Sequence, residues 1–154
     1  MEERTYWVET STVPFSADDC MMDEIRADKD KLEFIFDEGI WIKAGSGYEK
    51  TDGAALIFKG IKPEDILCYK TKRRIIKKGY IRKYEDFERF MAEMKKNHDK
   101  LEVIGMYREY KRVLLRCNAV NAKHENRFGI EIELENIEGF EVRTFAEWRI
   151  GDMF

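Results

Sequence analysis

Ile130-Glu131-Ile132-Glu133-Leu134-Glu135 is the cleanest two-residue alternation in the chain. Successive side chains of a strand point to opposite faces, so Ile130, Ile132 and Leu134 share one side and the three glutamates the other. A strand buried on one face and solvated on the other belongs to an antiparallel sheet. The flanking sequence extends that reading. Leu101 to Tyr107 and Val113 to Val120 can pair as a hairpin around Glu109-Tyr110-Lys111. Residues 118–126 read as a polar loop overlapping the end of that strand. Beyond Glu138-Gly139 a last strand sets Phe140, Val142, Thr144, Ala146 and Trp148 against Glu141, Arg143, Phe145, Glu147 and Arg149.

The N-terminal half carries the same signal. Leu32, Phe34 and Phe36 occupy one face, and Asp37-Glu38-Gly39 turns the chain toward Ile40-Trp41-Ile42, which reads as a hairpin. Residues 20–27 form one further strand ahead of Asp28-Lys29-Asp30. Residues 44–53 hold Gly45, Gly47 and Gly53 and read as a long surface loop; residues 54–59 and 67–70 return to strand character. Pro63-Glu64-Asp65 suits the first turn of a short helix, where proline fits and carboxylates favour the positive end.

A single convincing helix spans Tyr84 to Asn97. Phe87, Phe90, Met91 and Met94 recur at i, i+3, i+4 and i+7 and make one apolar stripe. Glu85 and Asp86 fall in its first turn, Lys95 and Lys96 in its last, and Asn97 terminates it; Glu85 and Arg89 form an i,i+4 pair. The expected fold is α+β: a curved, mainly antiparallel sheet of about seven to nine strands with this helix, about 84–97, packed on one face. At 154 residues, with no linker composition and no internal repeat, residues 1–154 read as a single domain.

Composition narrows the function classes. The chain is 44% hydrophobic and 13% aromatic, too apolar for a disordered tail, and its net charge of −3 argues against a general polyanion binder. No apolar run approaches a membrane span and the start has no secretory pattern, so a cytoplasmic protein without membrane contact is expected. Cys20, Cys68 and Cys117 are odd in number and far apart, which favours buried free thiols over disulfides. With His98 and His124 as the only histidines, no zinc spacing exists. Asp18-Asp19-Cys20 with Asp23 reads as a hydrogen-bonded turn rather than a metal site. Gly45-Ser46-Gly47 lacks the remainder of a phosphate loop, and none of Ser11, Ser16 and Ser46 sits in a nucleophile elbow. No catalytic set, metal site or cofactor is therefore expected.

Charge is polarised along the chain. Lys70, Lys72, Arg73, Arg74, Lys77, Lys78, Arg82 and Lys83 crowd one segment without an acid. With those eight set aside, the 28 basic residues fall to 20 against 31 acidic ones, a net of −11. Two binding surfaces follow. The row Glu131, Glu133 and Glu135, rigid and unmatched by nearby bases in sequence, complements a basic partner. Its counter-charge comes from Arg143 or Arg149 on the next strand, or from the partner; Trp41 and Tyr48 are aromatic anchors. The alternative is a nucleic-acid surface on Lys72, Arg73, Arg74, Lys77, Lys78, Tyr80 and Arg82, with lysines on the backbone and tyrosine on the bases.

Phe15, Asp19-Cys20, the Leu32-x-Phe34-x-Phe36-x-x-Gly39 pattern and Pro63-Glu64-Asp65-Ile66 together resemble a group of small bacterial proteins with an aromatic…Asp-Cys strand start. Ala17-Asp18 stands where that group usually has an aromatic-His pair. Some similar proteins are encoded beside polymorphic toxins and are read as immunity proteins. The resemblance implies a binding function rather than catalysis, with an immunity-type inhibitor as the concrete case. Joined to the charge pattern, it gives the expectation of a non-enzymatic inhibitor that blocks a basic toxin, such as a nuclease, through the acidic sheet surface.

Overall fold

The computed structural model describes residues 2–7, 15–73, 80–123 and 128–146. Antiparallel strands dominate them, with one α-helix, so the α+β class holds. The strands are β1 (Glu2–Trp7), β2 (Phe15–Ser16), β3 (Met21–Met22), β4 (Glu24–Asp28), β5 (Lys31–Phe36), β6 (Trp41–Ala44), β7 (Gly47–Lys50) and β8 (Gly53–Lys59). A 3-10 turn (Pro63–Asp65) leads into β9 (Ile66–Arg73) and β10 (Tyr80–Glu85). The helix α1 (Phe87–Asn97) and β11 (Lys100–Glu109), β12 (Arg112–Val120), β13 (Phe128–Leu134) and β14 (Gly139–Ala146) complete the chain.

The expected single sheet of seven to nine strands is corrected to three sheets among the described residues. Five strands run in the order β1-β14-β8-β5-β4, six in the order β10-β9-β13-β12-β11-β3, and three in the order β2-β6-β7. The cause is that strands adjacent in sequence separate at corners. Residues 20–27 are not one strand. Asp23 divides them, so that β3 pairs with β11 in one sheet and β4 with β5 in another. Its N–H donates to the Ile35 carbonyl at 2.8 Å, and its carboxylate accepts from the Asp37 N–H at 2.7 Å and pairs with Lys100 at 2.9 Å.

The Asp37-Glu38-Gly39 turn forms, but its flanking strands do not pair with each other: β5 lies between β4 and β8, while β6 pairs with β2 and β7. Gly39 has φ +81°, and a Cβ there would run into the Thr51 carbonyl, so glycine is required. The expected long loop over 44–53 contains β7, because Gly45 at φ +62° lets the chain reverse in a tight β6–β7 hairpin. Likewise β13 and β14 belong to different sheets.

The helix begins at Phe87 rather than Tyr84. Asp86 is its N-cap, its carboxylate accepting from the Arg89 N–H at 2.9 Å, while Tyr84 and Glu85 finish β10. Arg89 therefore pairs with Glu93 at 3.3 Å instead of Glu85. His98 caps the other end in the left-handed conformation. Phe87, Phe90 and Met94 are buried, and α1 packs beside β9, with Lys70 and Glu93 3.5 Å apart.

One apolar core joins these parts. Leu32, Phe34, Phe36, Leu56, Phe58, Phe140 and Val142 from the five-stranded sheet meet Leu101, Val103, Leu115, Ile130, Ile132 and Leu134 from the six-stranded one. Phe58 and Phe140 stack at 4.7 Å. On the other face of the five-stranded sheet Glu141 is buried between Lys59 at 3.1 Å and Arg143 at 2.9 Å. Burial alone would raise its carboxyl, but the hydrogen bonds from Lys59 and Arg143 outweigh it and hold the group below its ordinary value of 4.5. A carboxylate held low when folded adds stability above that ordinary value, and the contribution disappears as pH falls through the folded one. Glu141→Gln is expected to lower stability at pH 7 by about 1–3 kcal/mol. In urea unfolding measured across pH, the gap to the parent should close below pH 4.5; a constant gap would contradict this account.

Candidate functional site

The outward face of the six-stranded sheet gathers the residues with most binding chemistry. Pairing register fixes its membership. Glu131 lies between Arg116 of β12 and Tyr69 of β9, and Tyr69 lies opposite Tyr84 of β10. Glu133 lies between Leu114 and Leu67, and Leu114 lies opposite Tyr107 of β11. Partners across an antiparallel pair point to the same side, so these residues form one surface. Their alternates Cys68, Leu115, Cys117, Ile130 and Ile132 fill the core.

Glu131 and Glu133 share the outward face of β13, as their alternation requires, and Glu135 follows the last residue of that strand. They are not unmatched. Arg82 reaches from β10 to both Glu131 at 3.1 Å and Glu133 at 2.9 Å, with its guanidinium carbon 3.7 Å from the centroid of the Tyr69 ring. Arg116 lies 3.8 Å from Glu131, and Arg112 lies 3.6 Å from Glu135. The expected counter-ion Arg143 instead serves Glu141 in the five-stranded sheet, and Arg149 lies outside the described residues. The row is thus the centre of an alternating lattice of carboxylates and guanidiniums. Each carboxylate has about four acceptor sites, so these contacts do not exhaust the glutamates.

Tyrosines frame the lattice. Tyr84 is 58% exposed and Tyr107 56%; Tyr69 meets Tyr84 edge to face at 5.8 Å. A bulge between Val103 and Gly105 leaves Ile104 exposed and aims Tyr107 back across the strand. A Cβ at Gly105 would sit 3.0 Å from the Tyr107 hydroxyl, so the missing side chain makes room for that ring. Tyr107, Arg112, Leu114, Glu133 and Glu135 line a groove of about 550 Å³ at this end of the face.

The other expected residues fall elsewhere. Trp41 and Tyr48 lie in the three-stranded sheet, so strand pairing does not join them to the glutamate row. Of the basic segment, Arg74, Lys77 and Lys78 lie outside the described residues. Arg73 and Tyr80 are paired in backbone register at the ends of β9 and β10, and Lys72 is exposed on β9 opposite Ile81. Arg82 is the member that reaches the glutamates, which joins two surfaces that sequence reading kept apart. Arg112, Arg116 and Tyr107 were missed as site residues. Their signal is the alternation of Arg112, Leu114 and Arg116 with Val113, Leu115 and Cys117.

All three cysteines are free and buried. Burial pushes the Cys68 thiol up to about 12, with Glu85 adding to the effect and Lys70 opposing it. Burial likewise takes Cys117 to about 12, and raises Cys20 against the opposing influence of Lys50. Such thiols are poor nucleophiles at neutral pH. Among the described residues no His, Cys, Asp and Glu group is arranged to hold a metal ion. Also among them, no helix is long and apolar enough to cross a membrane.

No protein-family model matches the chain, and neither the curated proteins nor the solved structures supply a match.

Two outcomes follow from this geometry. Arg82→Ala should change stability by less than about 1 kcal/mol in urea unfolding, because the Arg82 side chain is 45% exposed and its two ion pairs with half-buried carboxylates stay open to water on that side. Iodoacetamide at pH 8 should leave Cys68 and Cys117 unmodified in the native protein and alkylate both once urea unfolds it. Rapid native modification would place a far lower thiol pKa at these sites.

Proposed function

We propose that the chain is a non-enzymatic protein-binding module of the immunity type, acting in the cytoplasm on a basic toxin. Its docking surface is the outward face of the six-stranded sheet. The observation that carries this reading is the convergence on one stiff face of two exposed tyrosines, three arginines and three carboxylates beside a groove. Tyrosine and arginine dominate binding hot spots, because they bury large area while keeping a polar end for hydrogen bonding. The resemblance of the stretch from Phe15 to Val120 to immunity-like proteins supports the partner class, and buried free thiols suit a reducing compartment.

The mechanism differs from simple occlusion by an acidic patch. A row already partnered by Arg82, Arg112 and Arg116 has little long-range field to steer a cation. Affinity comes from burying Tyr84 and Tyr107, while the lattice selects register by exchanging its own arginines for cations of the partner. The test is co-purification with the toxin encoded by the neighbouring gene, followed by titration. Tyr84→Ala and Tyr107→Ala should each weaken Kd by about tenfold or more, and Glu131→Lys with Glu133→Lys should abolish capture. Unchanged affinity in all of these variants would eliminate this face.

A further inference from the structure

The β6–β7 hairpin carries a second, chemically different surface. Its register sets Trp41 opposite Lys50 and Lys43 opposite Tyr48. All four side chains therefore lie on one side of the three-stranded sheet, aromatic and cation alternating in a two-by-two block. Trp41 is 37% exposed and Tyr48 51%, and both lysines are exposed. Lys50 Nζ lies 5.1 Å from the centroid of the Trp41 ring. The opposite side is anchored: Ile42 packs against the core and pairs with buried Phe15, and Glu49 alternates to that side. Among the described residues of β6 and β7, the exposed block carries no carboxylate, in a protein whose overall charge is −3.

We propose that this block binds single-stranded nucleic acid. Two cations on a face whose β6 and β7 residues include no carboxylate favour an anionic ligand, and two exposed rings on neighbouring strands call for one that also has flat faces to stack. Single strands combine both: the phosphates meet Lys43 and Lys50 while unstacked bases lie on Trp41 and Tyr48. Lysine acts as a point charge toward phosphate, which suits contact without sequence selection. An acidic peptide would satisfy the lysines but covers the rings only where it also carries apolar or aromatic side chains, whereas every nucleotide brings a phosphate and a flat base together. The site is distinct from the basic 70–83 segment and from the tyrosine–arginine face, and it does not depend on the toxin-binding proposal.

The experiment is fluorescence anisotropy of a labelled twelve-residue oligo-dT, titrated with the full chain from low to moderate salt. Binding should weaken with salt, and Lys43→Ala with Lys50→Ala should reduce the log–log slope by about 1.4, the value for two single-strand phosphate contacts. Trp41→Ala and Tyr48→Ala should each weaken binding about tenfold, while Tyr84→Ala and Tyr107→Ala leave it unchanged. Circular dichroism and urea midpoints equal to the parent show that the variants remain folded. Absence of binding at low salt overturns the proposal. So does retention of affinity in the four hairpin variants, or equal competition by poly-glutamate, which would make the ligand an acidic protein segment.

Discussion

Leu32, Phe34 and Phe36 of one sheet and Ile130, Ile132 and Leu134 of another are buried in the same apolar cluster. Because strand side chains alternate, committing these residues inward commits Glu131 and Glu133 outward. A register slip by one residue would bury charged carboxylates among apolar side chains, at a steep desolvation cost. The same constraint holds on β12, where Leu115 and Cys117 face in and Arg116 therefore faces the glutamates. The charged lattice on the surface is thus a consequence of core packing. Its rigidity comes from strands held on both sides.

The readable part of the fold follows from that same physics. Alternation in 101–107, 113–120 and 130–135, and the stripe of Phe87, Phe90 and Met94, are local patterns that directly report which side chains are buried. Partner choice is not local. Asp37-Glu38-Gly39 turns as its residues require, yet β5 and β6 part because β8 offers Phe34 and Phe36 the apolar neighbours Leu56 and Ala54. Asp23 is legible only as a turn-forming carboxylate; its three contacts, to Ile35, Asp37 and Lys100, come from distant sequence. The helix start shifted because Asp86 competes for the cap, a three-residue matter within a correctly located element.

Only part of the candidate face was legible in its residues, and its pairings were not. Glu131, Glu133 and Arg82 each stand out in sequence, one set as an acidic row and the other inside a basic run. The 51 positions separating Arg82 from Glu133 concealed that they meet. Antiparallel pairing of β10 with β9, and of β9 with β13, brings them within 2.9 Å. Segregation of charge along a chain therefore says little about segregation in space: strands that are remote in sequence become neighbours, and opposite charges across them are the favourable choice.

That neutralisation changes what kind of recognition the face supports. An isolated acidic row would attract any cation and discriminate poorly among them. A paired row gives up long-range attraction, since each guanidinium cancels the field of its glutamate beyond a few ångströms. On the proposed reading what remains is geometric: a partner would have to present cations where Arg82 and Arg112 now sit and to cover Tyr84 and Tyr107 at the same time. A wrong partner would desolvate the lattice without replacing its bonds, and buried unpaired charges are costly. Selectivity on such a surface arises from that penalty more than from attraction. The Trp41–Lys50 hairpin follows the opposite logic, because β6 and β7 place no acid beside Lys43 and Lys50 on their exposed side. It is suited to a ligand recognised by charge and stacking rather than by fit.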